Sequence, residues 1–292
     1  MRLAFWISLL AVTAAAADLK IDHVTACGAD VKAMQAALKA VGLSSEYGGP
    51  HANKVSEMAL ASFADGSYLE LIAIQRKAAK PDVSAHEWGA QMQNNAGPCA
   101  WAARTNDMKA EIARLTTLGT KVSKPQPSGR NRPDGVRLDW ETAQVGDRPR
   151  GVYFPFLIHD FTPREQRAFP RGRPTATEIA GVSRVVIAVN DLHGAARLFR
   201  KTFALVAPIE QGDPAFGASL AIFSDTPVVL ATPLNSRSWL ATRIQKFGEG
   251  PVAIVLNGAK SSTLRTNTTS QWLGKQISWV DPALLGWRLG VE

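Results

Sequence analysis

Ile21-Asp22-His23-Val24-Thr25-Ala26-Cys27-Gly28-Ala29-Asp30-Val31 can be laid over Val182-Ser183-Arg184-Val185-Val186-Ile187-Ala188-Val189-Asn190-Asp191-Leu192, and the rest of the chain is read outward from that match. Both stretches are strands of β-branched and small residues, and both end at an aspartate placed to cap a helix. The segments that follow, Val31 to Val41 and Leu192 to Phe203, carry apolar residues at helical spacing. A second pair opens with Gly97-Pro98-Cys99-Ala100-Trp101-Ala102 and Gly250-Pro251-Val252-Ala253-Ile254-Val255. The first of these runs into Asn106-Asp107 and a helix over Met108 to Leu118. Asp30 to Gly42 and Asp107 to Gly119 keep the same spacing, so strand, cap and helix form a repeated unit. The units run over about 19 to 75, 96 to 160, 178 to 235 and, more weakly, 249 to 292.

Strands follow the helix in each unit. In the first, Glu57 to Phe63, a turn at Ala64-Asp65-Gly66 and Ser67 to Gln75 predict a hairpin; in the third, Ser219 to Phe223, a turn at Ser224 to Pro227 and Val228 to Thr232 match it. The expected class is α+β: βαβββ modules in tandem pairs whose curved sheets enclose a cleft, with helices outside. The chain divides into a leader over 1–17, a first module pair over 18–160, a linker or surface loop over 161–177 with Pro163, Pro170 and Pro174 among arginines, and a second, degenerate pair over 178–292.

The leader is read from Met1-Arg2, the apolar run Leu3 to Val12, then Thr13 and four alanines to Ala17, the order of a signal peptide cut before Asp18. The apolar run is about ten residues, half of what a spanning helix needs. Export to the periplasm or beyond is therefore expected, with no membrane span after cleavage. An oxidising compartment would let Cys27 and Cys99 pair, but number and spacing do not decide between a bridge and two buried thiols.

The 292 residues are 46% hydrophobic, enough for a sizeable core. Much of the net charge of +8 sits in Arg130, Arg132, Arg137, Arg148, Arg150, Arg164, Arg167, Arg171 and Arg173. No nucleic-acid module accompanies this cluster, so it reads as solvated surface with room for one carboxylate-binding arginine; the expected partner is a small molecule, not nucleic acid. Oligomeric state is left open. The chain has no Gly-x-Ser-x-Gly elbow, phosphate-cradling loop, His-Glu-x-x-His or paired Cys-x-x-Cys, and Asn267 to Thr269 fits an N-glycosylation pattern by chance.

Asp22-His23-Val24, Gly48-Gly49-Pro50-His51, Asp65-Gly66-Ser67-Tyr68-Leu69-Glu70-Leu71, Arg130-Asn131-Arg132-Pro133-Asp134-Gly135-Val136, Trp140 and Phe154-Pro155-Phe156 occur in an order that resembles the glyoxalase-like domain of the vicinal oxygen chelate superfamily. The likeness covers residues 19–160 well and 178–292 in outline; the run from Asp65 to Glu70 is its most specific piece. It implies paired modules whose concave sheets hold a small molecule, frequently on a divalent metal, with ligands from the first and fourth strands of a module. Here those are His23 and Glu70. The implied activity is metal-dependent lyase, isomerase or dioxygenase-like chemistry on a small oxygenated substrate. The alternatives are a metal-free binding protein without turnover and a cleft decayed to a structural role. Some positions depart from the pattern. Where the family commonly has Gly-Thr-x-Asn after His51, this chain has Val55-Ser56-Glu57-Met58. Arg184 and Leu230 align with His23 and Glu70 in the third unit, Ala100 and Ala253 take the histidine position in the second and fourth, and Pro155 aligns with Glu70.

Residue chemistry points to the same pair. Glu70 shares one face of its strand with Tyr68, Ile72 and Ile74, while Leu69, Leu71 and Ala73 form the other, so its carboxylate must be paired, ligated or protonated. His23 shares a face with Leu19, Ile21, Thr25 and Cys27. If the first and fourth strands are neighbours, as the resemblance implies, an imidazole and a carboxylate converge, a pair that suits zinc, manganese, iron or nickel, with Glu70 as the catalytic carboxylate; a plain buried His-Glu hydrogen bond is the competing reading. His51, in a Gly-rich loop of the same unit, would complete a triad. His159, with Asp160 at the end of a strand over Val152 to Ile158, is a reserve ligand; His86 reads as a surface helix start and His193 as solvent-facing. Arg130, Arg132, Trp140 and Phe156 are the candidate substrate contacts, the arginines for a carboxylate and the rings, with Trp101, as walls.

Overall fold

Three aspartates start the module helices. The side chains of Asp30, Asp107 and Asp191 accept from the backbone N–H of Ala33, Ala110 and Gly194, each at 2.9 Å, pairing a donor that a helix start otherwise leaves free. The structure, a computed structural model, describes residues 19–258 and 263–292; the leader read over 1–17 lies outside the described residues.

In the first unit β1 (Ile21–Gly28) leads to α1 (Val31–Ala40), β2 (Glu46–Pro50), β3 (Ser56–Ser62) and β4 (Tyr68–Ile74). Two short helices, α2 (Lys80–Ala85) and α3 (Gly89–Gln93), cross to β5 (Gly97–Arg104), which is followed by α4 (Met108–Thr117), β6 (Gln126–Asn131), β7 (Arg137–Ala143) and β8 (Phe156–Asp160). After α5 (Arg164–Ala168) the third unit repeats the order with β9 (Ile179–Ala188), α6 (Leu192–Phe203), β10 (Ile209–Asp213), β11 (Ala218–Ile222) and β12 (Val228–Pro233). Helix α7 (Trp239–Phe247) then crosses to β13 (Gly250–Gly258), β14 (Thr266–Trp272), β15 (Lys275–Val280), α8 (Pro282–Leu285) and β16 (Arg288–Val291). The strand expected over Val152 to Ile158 begins only at Phe156.

Each pair of units closes into one curled, eight-stranded mixed sheet, ordered β2-β3-β4-β1-β5-β8-β7-β6 and β10-β11-β12-β9-β13-β16-β15-β14. In both sheets the two first strands lie antiparallel at the centre, and each runs parallel to the last strand of its own unit. This is the tandem βαβββ architecture read from the repeat.

One apolar core takes the convex faces of both sheets. Val24, Ala26, Leu69 and Leu71 meet Val185, Ile187 and Leu230 there, beneath Leu38, Leu115 and Phe199 of α1, α4 and α6. Strand alternation leaves Thr25, Cys27, Glu70 and Ile72 on the concave face. The concave face of the second sheet is filled: Phe216, Trp272 and Trp279 pack on Val186, Val229 and Val255. Not every helix is outside, since Met92 of α3 and Leu240 of α7 pack on concave-face residues.

Register corrects two correspondences. Glu70 lies opposite Thr25, and the same place is held in the other units by Phe156 opposite Ala102, Val229 opposite Val186 and Gly290 opposite Val255. Leu230 and Pro155 are each one residue off, and Leu230 points into the convex core. A one-residue slip reverses the face of a strand, and strands apolar on both faces carry no alternation to fix it.

Cys27 and Cys99, on the adjacent strands β1 and β5, form a disulfide with Cα atoms 5.9 Å apart. It packs against Ile72, Trp88 and Met92. Closing a loop over a sequence separation of 72 should restrict the unfolded chain by about 4 kcal/mol. The double substitution Cys27→Ser, Cys99→Ser is therefore expected to lower the unfolding free energy by about 2–4 kcal/mol in a denaturant titration. Equal stability of oxidised and reduced protein would contradict the bridge.

Candidate functional site

The pairing of β1 with β5 slips between Ile21, opposite Ala103, and His23, opposite Ala102. Asp22 is the extra residue. Bulges re-aim side chains, and here Asp22 Oδ1 comes to 2.6 Å from His23 Nδ1. The same slip takes Leu19 and Ile21 off the face expected for them with His23 and into the convex core.

Asp22 is fully buried and is met by Arg164 and by Arg167 Nη2, the latter at 2.7 Å. Burial alone would raise its carboxyl, but Arg167, Arg164 and His23 hold it well below the usual range. An ionised Asp22 makes Nδ1 the protonated nitrogen of His23 and leaves Nε2 to face the cleft. The ring is clamped by stacking on Tyr68, centroids 4.9 Å apart, and by the edge contact of Phe156 at 5.5 Å. Tyr68 in turn accepts from Arg167 Nη1 at 2.6 Å.

His51 is anchored by different means. Its backbone N–H donates to Ser56 O at 2.9 Å, and Asn53 Oδ1 accepts from the N–H groups of Val55 and Ser56, which closes a tight turn after β2. His51 Nδ1 then lies 2.8 Å from Ser56 Oγ. The segment that departs from the family pattern thus supplies the partner of His51.

Both ε nitrogens converge on Glu70. His23 Nε2 is 3.7 Å from Oε2 and His51 Nε2 is 3.5 Å from Oε1, while Thr25 Oγ1 donates to Oε2 at 3.0 Å. Burial by itself would raise the Glu70 carboxyl; the His51 contact, the charges of His23 and His51 and the Thr25 hydroxyl together bring it down to about 2. The carboxylate is therefore ionised at neutral pH.

These groups open on a cavity of about 230 Å³ whose lining includes Arg130, Trp140 and Phe156. Arg130, 4% exposed, donates to Gly48 O at 2.7 Å and has no carboxylate partner among the described residues. Burial lowers its pKa.

Other sequence candidates lie elsewhere. Arg132 pairs with Asp134 and donates to Gln166 O at 3.3 Å. Trp101, opposite Val24, is buried on the convex side, where its indole N–H donates to Tyr153 O at 3.2 Å. His159 pairs with Glu141 at 3.0 Å, and Asp160 with Arg164 and Arg167. Conversely, His86, Arg150 and Arg167 line the cavity. His86, expected at the surface, is half-buried, and burial lowers its pKa. Arg167, from the stretch read as linker or surface loop, is 3% exposed; the one available signal was a lone aspartate inside an apolar first strand. Among the described residues no set of three or more His, Cys, Asp or Glu side chains is gathered into a ready metal centre, and no helix is long and apolar enough to cross a membrane.

Residues 21–203 match the glyoxalase-like domain family, a span that holds the whole first sheet and its cavity. The chain belongs to that family. Its fold is similar to that of a hypothetical protein from Staphylococcus aureus, with a TM-score of 0.63 at 12% identity over 94% of this chain and 98% of that one. Shorter likenesses to this glyoxalase-like protein are methylmalonyl-CoA epimerase from Mycobacterium tuberculosis (TM-score 0.34, 18% identity, 39% of this chain and 87% of that one) and the Streptomyces coelicolor epimerase in complex with 2-nitronate-propionyl-CoA (TM-score 0.33, 18% identity, 38% and 96%). No curated protein sequence matches.

In chelator-treated protein the Glu70 pairing should show in acid. Its folded pKa of about 2 lies below the ordinary 4.5, so the stability it contributes is complete above about 4.5 and is lost as the pH falls toward 2. Glu70→Gln should flatten the fall of Tm across that window. Parallel curves for variant and parent would exclude the pairing with the two histidines.

Proposed function

We propose that the cleft of the first sheet takes a small oxygenated organic acid and acts on it as a divalent-metal-dependent enzyme of the lyase, isomerase or dioxygenase type. The observation that carries this reading is the convergence of two anchored imidazoles on one ionised carboxylate. Two imidazoles and a carboxylate fit zinc, manganese, iron or nickel. Asp22 and Ser56 supply the Nδ1 partners that metal-binding histidines use to fix ring and tautomer. The nitrogen–oxygen separations of 3.5 and 3.7 Å sit just above the roughly 3.0–3.4 Å that two atoms on one such ion keep.

His23, His51 and Glu70 would hold the ion, which when bound would polarise neighbouring oxygens of the substrate. The substrate's own negative charge goes to Arg130, a buried guanidinium that donates to Gly48 O and pairs directly with no carboxylate among the described residues. Trp140 and Phe156 confine the rest of the molecule. The disulfide supports the reading of residues 1–17 as a leader and of the protein as exported, periplasmic or secreted. A metal-free binding protein is the second reading, favoured by Ala100 and Phe156 standing in the second unit where the first has His23 and Glu70.

Elemental analysis of protein purified without chelator is expected to find one equivalent of metal, lost in His23→Ala and in His51→Ala. Metal-free, fully folded parent protein would leave the binding reading alone. Arg130→Met is expected to weaken small hydroxy- or keto-acids by roughly 10- to 100-fold, the worth of one charged hydrogen-bonding partner, with the metal content unchanged. Undiminished affinity would remove Arg130 from the site.

A further inference from the structure

The second sheet carries a cavity of its own. It measures about 370 Å³, lies among α7, α8 and the start of β16, and includes Trp239, Arg243, Lys246, Phe247, Trp287 and Arg288 in its lining. No aspartate or glutamate lines it. The Arg288 guanidinium lies over the rings of Trp239 at 4.4 Å and Phe216 at 5.2 Å, and it forms no hydrogen bond or ion pair among the described residues. Arg243 lies over Phe247 at 4.2 Å and donates only to backbone, to Pro98 O at 2.8 Å and Pro251 O at 3.5 Å. Lys246 adds a third cation, 4.9 Å from the Phe247 ring. Asp213, the carboxylate whose charge acts on Arg288, is engaged by the indole N–H of Trp272 at 2.7 Å and the backbone N–H of Phe216 at 2.9 Å.

Burial lowers Arg243 to about 10 with nothing opposing it, and lowers Arg288 against the pull of Asp213. The first sheet shows what a self-contained arrangement looks like: Arg150 lies over Trp88 and Phe156 but is neutralised by Glu87 at 2.5 Å. In the second sheet neither Arg243 nor Arg288 forms an ion pair among the described residues. A guanidinium stacked on an aromatic face keeps its in-plane N–H donors free for a carboxylate, while the rings offer flat apolar walls.

We infer that this pocket binds an aromatic carboxylate, its charge on Arg288 and Arg243 and its ring among Trp239, Phe247 and Trp287. The pocket holds no imidazole or carboxylate to act on such a molecule, so it is a binding site only, and it does not rest on the reading of the first cleft.

The test is calorimetric titration of the full chain with 2-naphthoate, with 2-naphthamide as the uncharged control. One site for the acid and none for the amide is expected. Arg288→Gln, which breaks no hydrogen bond but gives up the stacking on Trp239 and Phe216, should weaken the acid at least tenfold in a protein that still unfolds cooperatively, and Arg130→Met, which disarms the first cleft, should leave this binding intact. Arg243→Gln should do the same as Arg288→Gln, but its bond to Pro98 makes Arg288 the cleaner probe. No binding of the acid, parent-like affinity in Arg288→Gln, or loss only in Arg130→Met would overturn the site.

Discussion

A buried carboxylate between two guanidiniums governs the geometry of the first sheet. Asp22 has no access to water, and neither does most of Arg167, so neither charge would be tolerated without the other; stripping one partner from such a pair leaves a stranded charge worth roughly 3–5 kcal/mol. The cluster also ties together elements far apart in the chain. Arg167 reaches β1 through Asp22, β4 through the Tyr68 hydroxyl and β8 through Asp160, and Arg164 reaches the β3–β4 turn at Gly66 O. Helix α5 is thereby fastened across the sheet, and the bulge that exposes His23 to the cleft is held in place by the charge it brings inside.

The two histidines reach the same carboxylate by unrelated routes. One is fixed by a buried ion, the other by a hydroxyl in a turn that an asparagine closes. Because Nδ1 is engaged in both, only the ε nitrogens remain for chemistry, and Glu70 stays ionised despite its burial because those nitrogens and Thr25 face it. The arrangement is one-sided. The second unit brings Phe156 and Ala100 to the equivalent places, so half of the cleft is donor-rich and half is wall.

How much of this was legible in the sequence follows from the range of the interactions involved. Strand, aspartate and helix are adjacent in the chain, and the caps at Asp30, Asp107 and Asp191 were readable because a cap acts over three residues. The pairing of His23 with Glu70 needed the family likeness, since only the parallel β1–β4 neighbourhood brings them together. Glu70 in an apolar strand was itself a local signal. The role of Arg167 was not readable: an arginine in a Pro- and Arg-rich stretch looks like solvated surface until the fold lays it on Asp22. The same limit moved Arg132 out of the site and His86 into it, and the doubly apolar strands hid the slip that sets Val229 and Phe156, not Leu230 and Pro155, in register with Glu70.

Gly290 gives the asymmetry between the two sheets a direction. It occupies in the fourth unit the place that Glu70 holds in the first, and a Cβ there would come within 2.8 Å of both the Ile277 side chain and the Trp279 ring. No acidic or imidazole side chain can be introduced at that point without first excavating an indole that belongs to the filling of the concave face. The second sheet has therefore given this point of its concave face to packing in a way that single substitutions do not reverse, and any role it takes must grow at its rim.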